Sequence, residues 1–137
     1  MKYCLGLVID PIAKKILLLK RNKEPYNNCY NGIGGKIEEG ESEYDALIRE
    51  LKEEAEIIDV LKIVKLVTLI FPNNIELNVF YIFVNNIDFN DKNTREGILI
   101  WKDINFLLDI NNNELAGDGN LTYFMKFILN LEKNLLN

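Results

Sequence analysis

"GGKIEEGESEYDALIRELKEEAEI", running from Gly34 to Ile57, carries eight glutamates and starts with a glycine pair. From near Ser42 onward its apolar residues recur at helical spacing. On a helix of about 3.6 residues per turn, Tyr44, Leu47, Ile48, Leu51, Ala55 and Ile58 fall on one stripe that should face a core. Glu50, Glu53 and Glu54 fall on a neighbouring stripe at i, i+3 and i+4, with the small Ala46 one turn earlier. Like charges at that spacing cost about a few tenths of a kcal/mol per pair, so a cation is needed to offset them. Hard divalent ions such as magnesium take oxygen ligands and are commonly held by one or two carboxylates plus substrate phosphates and water. Glu50 and Glu54, one turn apart, can reach one such ion. A bare ExxEE on a helix is more often a solvated acidic face. Here a Gly-Gly turn precedes it, which lets backbone approach a ligand closely and can offer a main-chain carbonyl to a metal.

The rest of the composition narrows the chemistry. At 137 residues the chain reads as one domain, long enough to bury a sizeable core, and 48% apolar with 27% charged residues is an ordinary globular balance. The longest apolar-looking run, "IIDVLKIVKLVTLIF" from Ile57 to Phe71, is broken by Asp59, Lys62 and Lys65. It falls short of the roughly 18 uninterrupted apolar residues of a bilayer span. The opening "MKYCLGLVIDP" has no secretory signal pattern, so a cytoplasmic protein is expected. A net charge of −5 argues against binding a nucleic-acid polymer, which rests on clustered Lys and Arg. Cys4 and Cys29 form no CxxC pair and read as free thiols. The chain has no histidine at all, which excludes Ser-His and Cys-His nucleophilic machinery. Proton transfer then falls to carboxylates, lysine, tyrosine or water activated by a metal.

Along the chain, strand-like and helix-like segments alternate without a linker or repeat. "YCLGLVID" and "KKILLLKR" predict a hairpin from Tyr3 to Arg21, and "RNKEPYNNCYNGIGG" predicts a loop. After the helix come strands at 63–71 and 75–84 joined by a "PNN" turn. "FNDKNTREG" is expected as a polar loop, "ILIW" as a short strand, and "DINFLL" as a helical turn capped by Asp103. "GDGNLTYFMKFILNLEKNLL" predicts an amphipathic helix with Leu121, Phe124, Phe127, Ile128 and Leu131 on its buried face.

The opening stretch fits "G, five residues, E, seven residues, REL, x, EE, x, x, I", with Gly35, Glu41, Arg49, Glu50, Leu51, Glu53, Glu54 and Ile57 at the fixed positions. It resembles the Nudix box of the Nudix hydrolase family and departs from it once, at Glu56, where the family carries glycine. The resemblance implies an α/β fold, an α/β/α sandwich around a mixed sheet. It also implies hydrolysis of the diphosphate bridge in a nucleoside diphosphate joined to another group, with magnesium as cofactor and manganese as a substitute. Carried over by residue, Glu50 and Glu54 look like the main metal ligands with the Gly35 carbonyl beside them. Glu53 looks like a further ligand or the base that deprotonates water. Arg49 is expected to hold a box carboxylate and Glu41 to brace the loop. Glu96, in "TREGILIW", resembles a glutamate outside the box that binds metal or acts as base in some members. At Glu56 the expectation is a right-handed residue, with the helix continuing through Ile57 and Ile58.

The chemistry has its own logic. Splitting a phosphoanhydride requires neutralising the oxygens that gain charge and supplying a hydroxide-like nucleophile at neutral pH, and carboxylate-held magnesium serves both needs. For the substrate, "YNGIGGKIEEGE" is similar to the MutT-like branch that cleanses the nucleotide pool of oxidised purine nucleoside triphosphates. Asn31 matches an asparagine that reads the base there, a task suited to an amide, which offers donor and acceptor together; a turn cap is the plainer role. "LAGDG" keeps one aspartate of that branch, Asp118, and lacks its aromatic residue. Asp118 is otherwise an N-cap for the last helix. Gly34, Lys36 and Arg21 are the remaining candidates for substrate contact. Three readings stand: a triphosphate pyrophosphohydrolase acting first on 8-oxo-dGTP-like nucleotides, a hydrolase of ADP-ribose, a sugar nucleotide or a dinucleoside polyphosphate, and a non-catalytic nucleotide sensor. All three take a small nucleotide as partner. The oligomeric state is not legible from sequence.

Overall fold

The two apolar runs at the start of the chain pair as the expected hairpin. Lys2–Asp10 (β1) and Lys15–Arg21 (β2) lie antiparallel, with Val8 opposite Leu17 and Asp10 opposite Lys15. This and all that follows is seen in a computed structural model that describes residues 1–85, 88–109 and 111–136. Asp10 closes the turn by accepting the Ile12 and Ala13 amides at 3.0 Å each.

Away from this turn the two strands part, and the gap between them makes the site. Tyr30–Asn31 (β3) pairs with β2 at Leu19 and Lys20, and Ile33–Lys36 (β4) pairs with β1 from Tyr3 to Gly6. Both strands lie where sequence predicts loop. They are two and four residues long, too short to show a period of their own, and exist only through their pairing partners. Glu43–Ala55 (α1) follows, then the antiparallel pair Lys62–Phe71 (β5) and Ile75–Phe83 (β6), joined by a 3-10 turn at Pro72–Asn74 as the "PNN" signal predicts. Lys92–Thr94 (β7) is a short strand inside the expected polar loop, and it pairs with Gly97–Asp103 (β8). The chain ends in the helix Asn120–Leu131 (α2).

The strand order is β5-β6-β1-β2-β8-β7, with β3 and β4 inserted on β2 and β1. The β1–β6 pairing is parallel and the other pairings between these strands are antiparallel, so the sheet is mixed. Each face carries a helix. Leu5, Leu7, Ile9, Ile16 and Leu18 pack in one core with Leu121, Phe124, Met125 and Ile128 of α2. The intervening Cys4, Val8, Leu17 and Leu19 pack in the other with Ala46, Leu47, Leu51 and Ala55 of α1. This is the expected α/β/α sandwich. It explains why β1 and β2 read as near-continuous apolar runs, since strands covered on both faces lose the polar alternation. Each fully buried leucine contributes on the order of 1.5–3 kcal/mol.

Several expected details are corrected. The buried face of α1 is rotated toward Ala46 and Glu50, while Tyr44 and Ile48 are nearly half exposed. Close approach is the cause: a Cβ on Gly6 of β1 would meet Leu47 Cδ1 at 2.9 Å, and one on Gly35 of β4 would meet Glu50 Oε1 at 2.5 Å. The helix therefore lies directly on that glycine backbone, with Leu47 over Gly6 and Glu50 over Gly35. The helix also stops at Ala55, against expectation. Glu56 is left-handed (φ 56°, ψ 28°), with its amide donating to the Leu51 and Lys52 carbonyls and the Ile57 amide to Leu51. The reversal satisfies helix-end carbonyls that a straight run-out would leave to water. It turns Ile57 onto the α1-side core and leaves Ile58 exposed outside the helix. In α2, Leu121, Phe124 and Ile128 are buried as expected, but Phe127 and Leu131 are about half exposed, and Thr122 and Met125 take the inner positions. The 3-10 turn Ile104–Leu107 forms, yet Asp103 does not cap it; its carboxylate pairs with Lys15 at 2.9 Å.

Candidate active site

The site is built where α1 starts over the glycine turn of β4. Ser42 caps the helix by accepting the Asp45 amide at 3.0 Å, which sets the phase of every later side chain. Arg49 then projects back over the loop. Its Nε and Nη2 donate to the two oxygens of Glu41 at 2.7 and 3.0 Å, a bidentate pair. Its Nη1 donates to Glu50 Oε1 at 2.9 Å and lies 3.5 Å from Glu53 Oε2, and Nη2 also reaches the Lys36 carbonyl at 3.0 Å. Glu41 in turn accepts the Glu38 amide at 3.0 Å. These bonds join Glu41 to Arg49 and, through Arg49, the loop to the helix. The hydrogen bonds from Arg49, with that of Glu38 second, hold the Glu41 carboxyl down at about 2, and Glu41 in return raises the Arg49 pKa.

Glu54 is in the opposite situation. Its Oε2 is buried and has no hydrogen-bond partner. Burial, followed by the charges of Glu50 and Glu96, pushes its carboxyl up to about 8. A carboxylate kept in a low-dielectric pocket among like charges is costly unless a cation joins it. Glu50 is itself only 8% exposed and sits against Gly35, where any side chain would displace it. Among the described residues no three acidic, cysteine or histidine side chains converge into a complete ligand set, because Arg49 draws Glu50 and Glu53 toward itself. Two carboxylates with open positions suit an ion that takes its remaining oxygens from substrate and water, which is magnesium's habit. The donor set fits such an ion, which Glu54 and Glu50 would hold, with Glu53, Glu96 and the Gly35 carbonyl as the further candidates.

A cavity of about 830 Å³ opens in the gap between β1 and β2. Glu54, Glu96, Gly34 and Gly35 stand at its wall, together with Asn31, Arg21 and Asp118, so segments far apart in sequence converge here. Asn31 Oδ1 accepts the Gly32 amide at 2.9 Å, which is the turn-capping role, while its Nδ2 makes no bond among the described residues. Arg21 uses Nε to hold the Pro25 carbonyl at 2.8 Å. Asp118 is not the N-cap of α2: that position is Gly119, and Asp118 is left-handed with φ 54°. Lys36 does not join the cavity wall. It is exposed at the end of β4, and its contribution is the carbonyl that Arg49 holds. Tyr26, Phe71 and Phe124 form apolar parts of the wall; Phe124 is on the predicted inner face of α2, while Tyr26 carried no signal in sequence, since nothing local marks a loop aromatic as facing a cavity.

The family model of the NUDIX domain matches residues 4–103. The chain belongs to the NUDIX family. An ADP-ribose pyrophosphatase of Methanocaldococcus jannaschii is 44% identical over 60 residues, a match that spans 42% of this chain and 36% of that protein. The NUDIX domain of Shewanella oneidensis NrtR, solved with ADP ribose, superposes with a TM-score of 0.75 at 13% identity, covering 96% of this chain and 88% of that one. MutT of Aliivibrio salmonicida and Vibrio cholerae gives 0.66 at 23% identity, covering 92% and 98%. At these identities the solved structures establish a NUDIX fold for the chain. Among its described residues no helix is long and apolar enough to cross a membrane.

Proposed function

We propose that this protein is a magnesium-dependent hydrolase of the diphosphate linkage in a nucleoside diphosphate derivative. One observation carries the reading: Glu54 Oε2 is buried without a partner, next to Glu50 and Glu96, at the rim of a cavity large enough for a nucleotide. A divalent ion held by Glu54 and Glu50 supplies charge neutralisation at the phosphate oxygens. The protein's own groups do the rest. Arg49 keeps Glu50 and Glu41 in place. Glu53, whose side chain is 61% exposed, takes the proton of the attacking water. Asn31 offers its unused Nδ2 to the base, and the apolar wall excludes water around it.

The first substrate is a purine nucleoside triphosphate, oxidised guanine nucleotides foremost, cleaved to the monophosphate and pyrophosphate; the Asn31 match supports it. ADP-ribose is the second reading, supported by the 44% identity to the archaeal ADP-ribose pyrophosphatase. Product analysis after incubation with 8-oxo-dGTP, dGTP, ADP-ribose and a dinucleoside polyphosphate, with magnesium or manganese, decides between them. No diphosphate hydrolysis in any of these mixtures overturns the proposal and leaves the nucleotide-sensing alternative.

A further inference from the structure

Glu54 borders two cavities. Besides the large one, a second of about 500 Å³ lies between the end of α1 and the β7–β8 hairpin. Glu53, Glu54 and Glu56 line one side, and Lys92 and Arg95 line the other. Neither cation is in an ion pair or a side-chain hydrogen bond among the described residues, although three carboxylates face them. The β7–β8 turn that carries them is held by bonds of its own. Thr94 Oγ1 donates to the Gly97 carbonyl at 2.9 Å and accepts the Glu96 amide at 3.2 Å, and the Asn22 amide binds the Glu96 carbonyl at 3.0 Å. Two exposed cations without a protein partner among the described residues, across a slot from a carboxylate that lacks its own cation, can take an anion between them.

We infer that this slot is a phosphate site for the leaving group, with Lys92 and Arg95 as its ligands. The inference rests on reading Glu54 as metal-binding. A substrate cleaved beside Glu54 has one end in each cavity: the apolar-walled one takes the nucleoside, and the slot takes the remainder. Cations there favour a remainder with more phosphate, so a triphosphate, which leaves pyrophosphate, is preferred to ADP-ribose, which leaves ribose 5-phosphate, by contacts outside the catalytic carboxylates.

The test uses Lys92→Gln and Arg95→Gln, singly and together; both residues are exposed, and thermal unfolding verifies the fold. Inorganic pyrophosphate is titrated calorimetrically with magnesium present. The double variant is expected to bind it about tenfold or more weakly, the effect of losing charge-assisted contacts. The ratio of kcat/KM for dGTP to that for ADP-ribose should fall by a smaller factor, since both leaving groups carry phosphate and pyrophosphate carries one more. Equal pyrophosphate affinity in wild type and double variant overturns the inference, as does an equal loss on both nucleotides. A wild type that binds pyrophosphate through Lys92 and Arg95 yet hydrolyses no nucleotide sinks the proposed hydrolase and leaves the phosphate slot standing.

Discussion

Gly35 and Glu50 approach so closely that a methyl group on the glycine would stand 2.5 Å from Glu50 Oε1. The glycine pair of the loop is therefore a requirement of the helix above it. Gly35→Ala should push Glu50 off Arg49 and weaken divalent-ion binding by about 10- to 100-fold, the usual cost of disturbing a ligand's support. Calorimetric titration with magnesium or manganese measures this, and circular dichroism should show α1 intact. An unchanged ion affinity refutes the close-approach role.

Glu54→Gln keeps the shape of the side chain and removes its charge. Turnover should drop by about two orders of magnitude or more, since a ligand of the ion is lost. The metal-free protein should be no less stable than wild type, because the substitution relieves a buried unpaired carboxylate. Wild-type turnover at saturating magnesium excludes the metal assignment.

Asn31→Ala tests base reading. Its Oδ1 is occupied by the Gly32 amide and its Nδ2 is available to a ligand. The variant should lose about tenfold in kcat/KM on purine triphosphates, the worth of roughly one hydrogen bond in a closed site. Loss on a pyrimidine triphosphate should be smaller. Equal losses assign Asn31 to loop shape alone.

Glu56 is left-handed, a conformation that costs a residue with a side chain about 1–2 kcal/mol and glycine little. Glu56→Gly should raise the melting temperature, with a gain of up to about 1 kcal/mol after the entropy that glycine adds to the unfolded chain. Activity should be retained. A lower melting temperature would show that the side chain repays its strain.

Away from the site, Glu132 accepts hydrogen bonds from Lys62 at 2.7 Å and from the Tyr81 hydroxyl at 2.6 Å, tying α2 to β5 and β6. Lys62 first and Tyr81 second hold its carboxyl below the usual range. A depressed carboxylate contributes stability that is present above its unfolded value, near 4.5, and lost as pH falls through the folded value. Glu132→Gln should therefore cost about 1 kcal/mol near neutral pH, a figure kept low because Lys62 is 45% exposed. The difference from wild type should vanish in acid. A gap that persists at about pH 2, below the range where carboxylates ionise, would assign the effect to packing.

What the sequence by itself determined was everything with a period or a fixed spacing. The β1–β2 hairpin, α1 starting near Ser42, the β5–β6 pair and α2 follow from apolar recurrence and turn residues within each segment. The spacing from Gly35 to Glu54 placed the carboxylates and Arg49 because one helix carries Arg49 and the glutamates through Glu54, and a turn leads directly into it. Only the tertiary structure decided the rest. β3, β4 and β7 are too short to show a pattern and form against strands far along the chain. The face of α1 is set by how closely glycine backbone lets the helix approach, which turned Ala46 and Glu50 inward; the face of α2 is set by the core it packs on, which takes Thr122 and Met125 and leaves Phe127 half exposed. Glu56 turns left-handed because satisfying the helix-end carbonyls and seating Ile57 on the core outweigh a local preference. The convergence of Asn31, Arg21, Glu96 and Asp118 on one cavity depends on β1 and β2 splaying apart, a relation between strands that no local stretch of sequence contains.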